Sequence, residues 1–413
     1  MSRNGRVPDD WRESRLGEVA SITMGQAPPG SAVNEDGVGL PFIQGNAEFG
    51  SRHPQPAKWC SDPWKRAQPG DVLLSVRAPV GALNIADVEL AIGRGVSALR
   101  FEAIDPRFGW YAVQHGISQF ERVSQGSTFE AIGRAEVAGL SLPVPPLPEQ
   151  RKIAEILSSV DEAIERTEAV IERVRDAKRA LAQELLTRGM PGRHTRYKRT
   201  EVGEIPEEWE VVRLGEVARI QSGIAKNEKA QRPNPVTLPY LRVANVQDGY
   251  IDLSEVKSIT VDAADVPRCS LEPGDVLFTE GGDFDKLGRG AVWTAPISPC
   301  LHQNHVFAVR PEINRVMPEY LAMYAASQAG KRYFLKASKQ TTNLASVNAT
   351  QLGRLPLALP SVDEQKAIIG AVAAAVSRAE AESERLSQLR QVKATLSRGL
   401  LSGQIRMKAD TAT

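Results

Sequence analysis

Cys300, His302 and His305 lie close together in "CLHQNHV". Thiolate and imidazole are zinc-ligand types. No second ligand cluster accompanies them, and the matching stretch of an internal repeat has Leu90, Ile92 and Gly95 in their places. Side chains alternate along a strand, so these residues read as polar members of a strand edge. The glycine-rich "TEGGDFDKLGRGAVW" (Thr279–Trp293) follows a strand pattern. Another strand follows it, so no helix N-terminus stands behind it to hold a phosphate. It reads as a turn or a ligand-facing loop. No G-x-x-x-x-G-K-[ST] phosphate loop occurs. "SEVKS" (Ser254–Ser258) has the acid-x-Lys spacing of nucleases. Its nearest upstream acid, Asp252, is too close to act as a separate metal ligand from another strand. His53, His115 and His194 have no partner acid at a telling spacing. These residues do not assemble an enzyme.

The elements that carry them are written twice. "DDWRESRLGEVASI" from Asp9 matches "EEWEVVRLGEVARI" from Glu207, which pairs Trp11 with Trp209. "LPFIQGN" (Leu40–Asn46) matches "LPYLRVAN" (Leu238–Asn245), and "QPGDVLLSV" (Gln68–Val76) matches "EPGDVLFTE" (Glu272–Glu280). Glu149-Gln150 matches Glu364-Gln365. The offset grows along the chain, so the second copy carries insertions, which belong in surface loops. Each copy is a globular part with short apolar strand patterns between Gly, Pro, Asn and Asp, then a helix. Pro106–Ile117 and Pro318–Phe334 match as a helix within the globular part.

The clearest periodic signal is Ile153, Leu157, Val160, Ile164, Thr167, Ile171, Val174, Lys178, Leu181 and Leu185, in alternating steps of four and three. The second copy gives Ile368, Val372, Ala375, Ala379, Glu382, Leu386, Leu389, Lys393, Leu396 and Leu400. A 3.5-residue repeat over about five heptads predicts a coiled-coil seam. Glu149–Thr187, as a helix, would span roughly 58 Å. The proline run in "VPPLPEQ" ends the first globular part, and Glu149 then falls in the first helical turn, where negative charge is favoured. A compact unit returns its ends close together, so the two helices are predicted to pack antiparallel. Ile153 then lies toward Leu400, Leu185 toward Ile368, and the tail after Ser402 returns to the first globular part.

Composition bounds the class. The 413 residues exceed one ordinary core, and 42% hydrophobic with 24% charged residues is a globular mix. No apolar run reaches the ~20 residues of a membrane span, and the N-terminus lacks a secretory signal's apolar core. Three cysteines far apart fit a reducing, cytoplasmic setting. The net charge of +1 neither points to nor excludes nucleic acid, because local patches decide binding.

The stretches "PPLPEQRKIAEIL", "DEQKAIIGAV", "GEIPEEWEVVRLGEV", both "PGDVL" and "GGDFDKLGRG" run in order along the whole chain. On them the sequence resembles the DNA-specificity (S) subunit of type I restriction-modification systems. The resemblance implies an α+β architecture with a pseudo-two-fold internal repeat: two similar mixed α/β target-recognition domains separated by two long helices that form an antiparallel coiled coil. The expected boundaries are 1–148 and 207–360 for the recognition domains, 149–187 and 361–402 for the helices, 188–206 for an irregular basic linker and 403–413 for a tail. It implies a non-catalytic reader of an asymmetric bipartite site in double-stranded DNA. The partners it implies are two modification subunits, with restriction subunits in the full complex. S-adenosylmethionine and ATP would be bound by those partners, and this chain itself would hold no cofactor and no metal.

The candidate DNA-binding residues are polar side chains in loops at matching places of the two copies. They are Gln26, Gln44, Asn46, Arg77, Arg94, Gln125, Ser127 and Thr128 in the first copy. In the second they are Lys226, Arg242, Asn245, Asp283, Lys286, Gln303, Asn304, Lys339, Gln340, Thr341 and Asn343. Arg and Lys address guanine or phosphate, and Asn and Gln bond adenine in two places. In the linker, Arg193, Arg196, Lys198 and Arg199 are expected near phosphates or an acidic partner face. Ile156, Val170 and Val376, apolar positions beside the seam, are the candidate docking residues for a modification subunit. The competing class is a two-headed protein scaffold that touches no DNA. It accounts for the duplication but not for the polar loop chemistry.

Overall fold

The computed structural model describes residues 7–119, 131–225, 232–282, 288–340 and 345–407. The chain gathers into two compact units, Met1–Ala169 with Ser383–Thr413, and Val170–Glu382. Each unit thus takes one half of each long helix.

In the first unit, strand Ala20–Met24 lies beside Val96–Phe101, then Val72–Ser75, then Leu83–Ile85, all antiparallel. A second sheet runs Val33–Asn34, Lys58–Cys60, Leu40–Ile43, Leu90–Ile92, Arg66–Ala67. Its one parallel pair sets Phe42 opposite Ala91. Arg12–Arg15 pairs with Ser141–Val144, on the approach to the first long helix. One face of the first sheet and helix Pro106–Gly116 close a core around Leu16, Leu74, Leu99, Phe108 and Val113, while Leu73, Val96 and Ala98 join Ile43, Leu90 and Ile92 of the second sheet in another.

The second unit repeats the plan. Ala218–Ser222, Val306–Pro311, Val276–Thr279 and Gly290–Val292 form the four-stranded sheet. Pro235–Leu241 pairs in parallel with Leu301–His302, and Glu210–Arg213 pairs with Pro356–Leu359. The Pro-Gly-Asp signature is a turn with a lock. Gly70 and Gly274 hold φ near 88° and 90°, where a side chain is strained. The aspartate that follows takes the turn's own N–H, from Gln68 to Asp71 and from Glu272 to Asp275, at 2.8 Å in both copies. Each carboxylate then receives a bidentate guanidinium: Arg100 on Asp71 at 2.8 and 3.0 Å, Arg310 on Asp275 at 2.8 and 2.9 Å.

The long helices are Leu147–Arg188 and Val362–Leu401. The first starts two residues earlier than expected, because proline is tolerated in a first turn whose N–H groups have no partner. Glu149 does more than complement a dipole. It is 4% exposed, and it accepts Trp11 Nε1 at 3.0 Å, Arg406 Nε and Nη2 at 3.0 and 3.1 Å and the Met407 N–H at 2.9 Å. The tail after Ser402 therefore returns to the first unit, as expected. Glu364 repeats this in the second unit with Trp209 Nε1 at 3.2 Å, the Met190 N–H at 3.1 Å and His194 Nε2 at 2.8 Å. Here the start of the linker stands where the tail stands in the first unit. Gln150 takes the Asp105 N–H at 2.8 Å and gives its amide to the Pro145 carbonyl at 2.8 Å. Gln365 likewise joins the Met317 N–H to the Pro360 and Arg315 carbonyls.

Of the predicted seam positions, Ile153, Leu157, Thr167, Ile171, Leu185, Ile368, Val372 and Leu400 are buried and the rest half-buried, and the off-seam Ala154, Leu186 and Leu401 are buried as well. In the first unit Ile153 and Leu157 share a core with Leu400 and Leu401. In the second, Leu185 and Leu186 share one with Ile368 and Val372. The start of one helix thus meets the end of the other, as antiparallel packing requires. Each such side chain contributes about 1.5–3 kcal/mol. The polar seam residue Lys393 pairs with Asp161 at 2.7 Å, and Asp161 also accepts the Tyr111 hydroxyl at 2.8 Å.

Two expectations are corrected. The linker is not irregular: Tyr197–Thr200 and Gly203–Pro206 form a hairpin. Its cations serve the unit. Arg196 pairs with Glu207 at 2.9 Å, Lys198 gives its ammonium to the Glu207 carbonyl at 2.8 Å, and Arg193 stands 3.7 Å from Glu364. Arg199 is exposed. The Pro318–Phe334 helix is two, Pro318–Ala326 and Gln328–Ala337, because Ser327 turns extended and caps the second through the Gly330 N–H at 3.3 Å.

Candidate DNA-reading edges

In each unit, main-chain hydrogen bonds tie the candidate loops to one another. In the first, Gln26 N–H meets the Ile92 carbonyl at 3.1 Å, Gly93 N–H the Ile43 carbonyl at 2.8 Å, and Gly95 N–H the Gln44 carbonyl at 3.1 Å. Val76 N–H then meets the Gly95 carbonyl at 2.9 Å, and Ile132 N–H the Val76 carbonyl at 2.8 Å. The second unit repeats four of these five bonds. Ile224 N–H meets the His302 carbonyl at 2.8 Å, Gln303 N–H the Leu241 carbonyl at 2.9 Å, Glu280 N–H the His305 carbonyl at 2.9 Å and Val347 N–H the Glu280 carbonyl at 2.7 Å. The frame depends on close backbone approach. A Cβ on Gly25 would stand 2.2 Å from the Gly93 oxygen, and one on Gly223 would stand 2.1 Å from the His302 oxygen. These glycines occupy matched places of the repeat, and that match is the signal by which the sequence marks them.

The side chains on this frame differ between the units: Gln26 against Ile224, Gln44 against Arg242, Arg94 against Asn304, Val76 against Glu280. Gln26, Gln44, Arg77 and Arg94 are exposed, and Asn46 is half-buried at the start of a short 3-10 turn. Gln303 and Asn304 are half-buried, with Asn304 Nδ2 3.4 Å from His305 Nε2. His305 in turn pairs with Glu280. Lys339 and Gln340 form a two-residue strand against Ala345–Ser346. Gln125, Ser127, Thr128, Lys226, Asp283, Lys286, Thr341 and Asn343 lie outside the described residues. Ala131, next to the first of these segments, bridges to Arg77. Ser346, beyond the last, pairs with Gly281 in the matching position.

One candidate is spent within the fold. Asn245 is 3% exposed; its Oδ1 takes the Arg242 N–H at 2.9 Å and its Nδ2 serves the Asp252 and Glu255 carbonyls at 2.8 and 3.0 Å. It fixes the loop and presents nothing to a base. Its counterpart is Glu48, which takes the Gly45 N–H at 3.0 Å, and not Asn46, because the second loop is one residue shorter. Arg242 leans on Glu255 at 3.2 Å. Of the docking candidates, Ile156 packs against the first core, whereas Val170 and Val376 stay half-buried.

In the Cys300–His305 stretch, Cys300 and His302 are buried and His305 is exposed. Burial pushes the Cys300 thiol up to about 11, and burial lowers the His302 imidazole, whose Nδ1–H donates to the Val306 carbonyl at 2.7 Å. Among the described residues no group of metal-ligating side chains gathers, and no helix is long and apolar enough to cross a membrane.

Two α/β units on one frame, each with its own polar edge and each followed by a long helix, define a duplicated recognition protein. The sequence pattern of the type I restriction modification DNA specificity domain matches residues 8–175 and again 206–391, and the chain belongs to that family. It is 25% identical over 426 residues to the MjaVIII type I restriction enzyme specificity subunit of Methanocaldococcus jannaschii, covering 98% of this chain and 95% of that one. A second chain of that organism, assigned as the MjaX specificity subunit, is 38% identical over 190 residues, 45% of each chain. A solved chain from a study of type I R-M system assembly and conformational transition superposes with TM-score 0.62 at 18% identity, covering 97% of this chain and all of that one (100%).

Proposed function

We propose that this chain is the DNA-reading subunit of a type I restriction-modification complex, and that each unit reads one half of an asymmetric bipartite site. The observation that carries the proposal is the shared main-chain frame with unlike side chains upon it. Identical readers would select a palindrome, and different ones select two different half-sites. The two long helices, continued as an antiparallel coiled coil, set the number of base pairs between the half-sites. A face that includes Val170 and Val376 receives a modification subunit. Methyl transfer from S-adenosylmethionine and ATP-driven cleavage belong to the modification and restriction partners. Phosphate contacts position such a complex, and base-edge contacts specify its site.

The test is gel retardation of a randomised duplex pool by the full-length chain, alone and with modification subunits, followed by sequencing of the retained fraction. Two separated sequence blocks at a fixed spacing are expected. A retained fraction identical to the input pool would refute sequence reading.

A further inference from the structure

Gln44 is better placed than the other exposed candidates. Strand Leu40–Ile43 leads into it, and its main-chain oxygen holds the Gly95 N–H at 3.1 Å. Its carboxamide lies across the neighbouring strand at Gly93, with Oε1 2.6 Å from where a Cβ would stand. Any side chain at Gly93 would displace it. Glu48 fixes the next turn by accepting the Gly45 N–H at 3.0 Å. The amide is therefore exposed and carried on a main chain that is held in place on both sides.

Beside it lies a groove of about 300 Å³ lined by Val33, Phe42, Gln44, Glu48, Ala57 and Lys58. Phe42 and Lys58 are direct cross-strand neighbours, and Gln44 follows Phe42 on the same face. The groove therefore places Val33, Phe42 and Ala57, all apolar, beside a terminal amide. Lys58 at the rim pairs only loosely with Glu35, at 3.6 Å.

We infer that this groove reads one A·T base pair, through the major groove, in the half-site assigned to the first unit. A glutamine amide donates to adenine N7 and accepts from adenine N6–H, and an apolar surface suits the C5-methyl of the paired thymine. A G·C pair offers no methyl for the groove. It also presents guanine O6 and N7, two acceptors that the amide cannot both satisfy while its own oxygen faces one of them. Lys58 remains free to turn to a flanking phosphate. The inference rests on the proposal that the chain reads DNA.

The experiment compares selection from a randomised duplex pool by the wild-type chain and by Gln44→Ala, each with its modification subunits. The substitution removes an exposed side chain, and circular dichroism and thermal melting check that the fold is kept. The expected result is loss of preference at one A·T position in one block, with every other position unchanged. Affinity for the wild-type site should fall roughly 5- to 150-fold, the range for one bidentate base contact. Replacing thymine by deoxyuridine at that position should weaken wild-type binding about fourfold, the value of one buried methyl. It should weaken Phe42→Ala less. A lost preference that falls on a G·C pair, or an unchanged motif with Gln44→Ala, would overturn this inference and leave DNA reading intact. A wild-type chain that selects no motif would overturn both.

Discussion

Replacing Glu149 by alanine should unlatch the C-terminal tail from the first unit. The carboxylate is 4% exposed and accepts four hydrogen bonds, from Trp11 Nε1, Arg406 Nε and Nη2, and the Met407 N–H. Trp11 is 7% exposed, so its indole N–H would lose its partner inside the protein, at about 1–3 kcal/mol. The Arg406 side chain is 38% exposed, so water would recover part of that loss. With the Met407 N–H freed as well, the unit should lose about 3 kcal/mol. Hydrogen exchange of the full chain read by mass spectrometry is the assay. Residues 403–407 and the segment around Trp11 should lose protection, while residues 188–196, held by the equivalent Glu364, should keep theirs. The pH dependence follows from the same bonds. Burial raises the Glu149 pKa, but the bonds from Arg406, Met407 and Trp11 together outweigh it and hold the group below its ordinary 4.5. The unfolded chain therefore takes up the proton first. The stabilisation is complete above about pH 4.5 and is lost as pH falls through the lower folded value, where wild type and Glu149→Ala should converge. A loss under about 1 kcal/mol at pH 7, or equal deprotection of residues 188–196, would refute this account of the tail.

Asp275→Ala should cost about 3–5 kcal/mol, since Asp275 is fully buried beneath a bidentate Arg310; chemical denaturation checks it, and a cost near zero would mean the lock is dispensable. Ile153→Ala and Leu185→Ala should each cost about 2–5 kcal/mol, the first loosening hydrogen exchange at Leu400 and the second at Ile368; the reverse pattern would contradict antiparallel packing. Alanine at Lys339, Gln340 and Asn343 should relax one half-site, and alanine at Arg94, Gln125 and Thr128 the other, by roughly 1–3 kcal/mol for each base-reading side chain removed; equal effects of one triple variant on both half-sites in a binding selection would count against one reader per half-site.

The duplication, the two long helices and their direction were legible because they rest on patterns of identity and period. Ile153 to Leu185 repeats every 3.5 residues, and none of those positions is exposed. The Glu-Gln pairs were visible as matched residues, but their work was not, since Trp11 and Arg406 reach Glu149 from opposite ends of the sequence. The hairpin at Tyr197–Pro206 escaped because Tyr-Lys-Arg-Thr lacks the apolar alternation of a buried strand. Asn46 and Asn245 match by letter, but a single residue of loop length makes Glu48 the true counterpart. A polar residue in a loop can serve either the loop or a ligand, and only burial tells Asn245 from Gln44.

The backbone wiring of the two edges has a consequence for how such a protein changes over generations. Its bonds run from amide to carbonyl, and its tightest backbone approaches are filled by Gly25 and Gly223, so the wiring does not depend on the side chains at Gln26, Gln44 and Arg94. Substitutions at those places alter what is presented to a ligand while the scaffold beneath keeps its folding free energy. New preferences can then arise one residue at a time, without passing through an unfolded intermediate sequence. The glycines have no such latitude, and a lineage of these chains should vary at the exposed positions and stay fixed at the glycines.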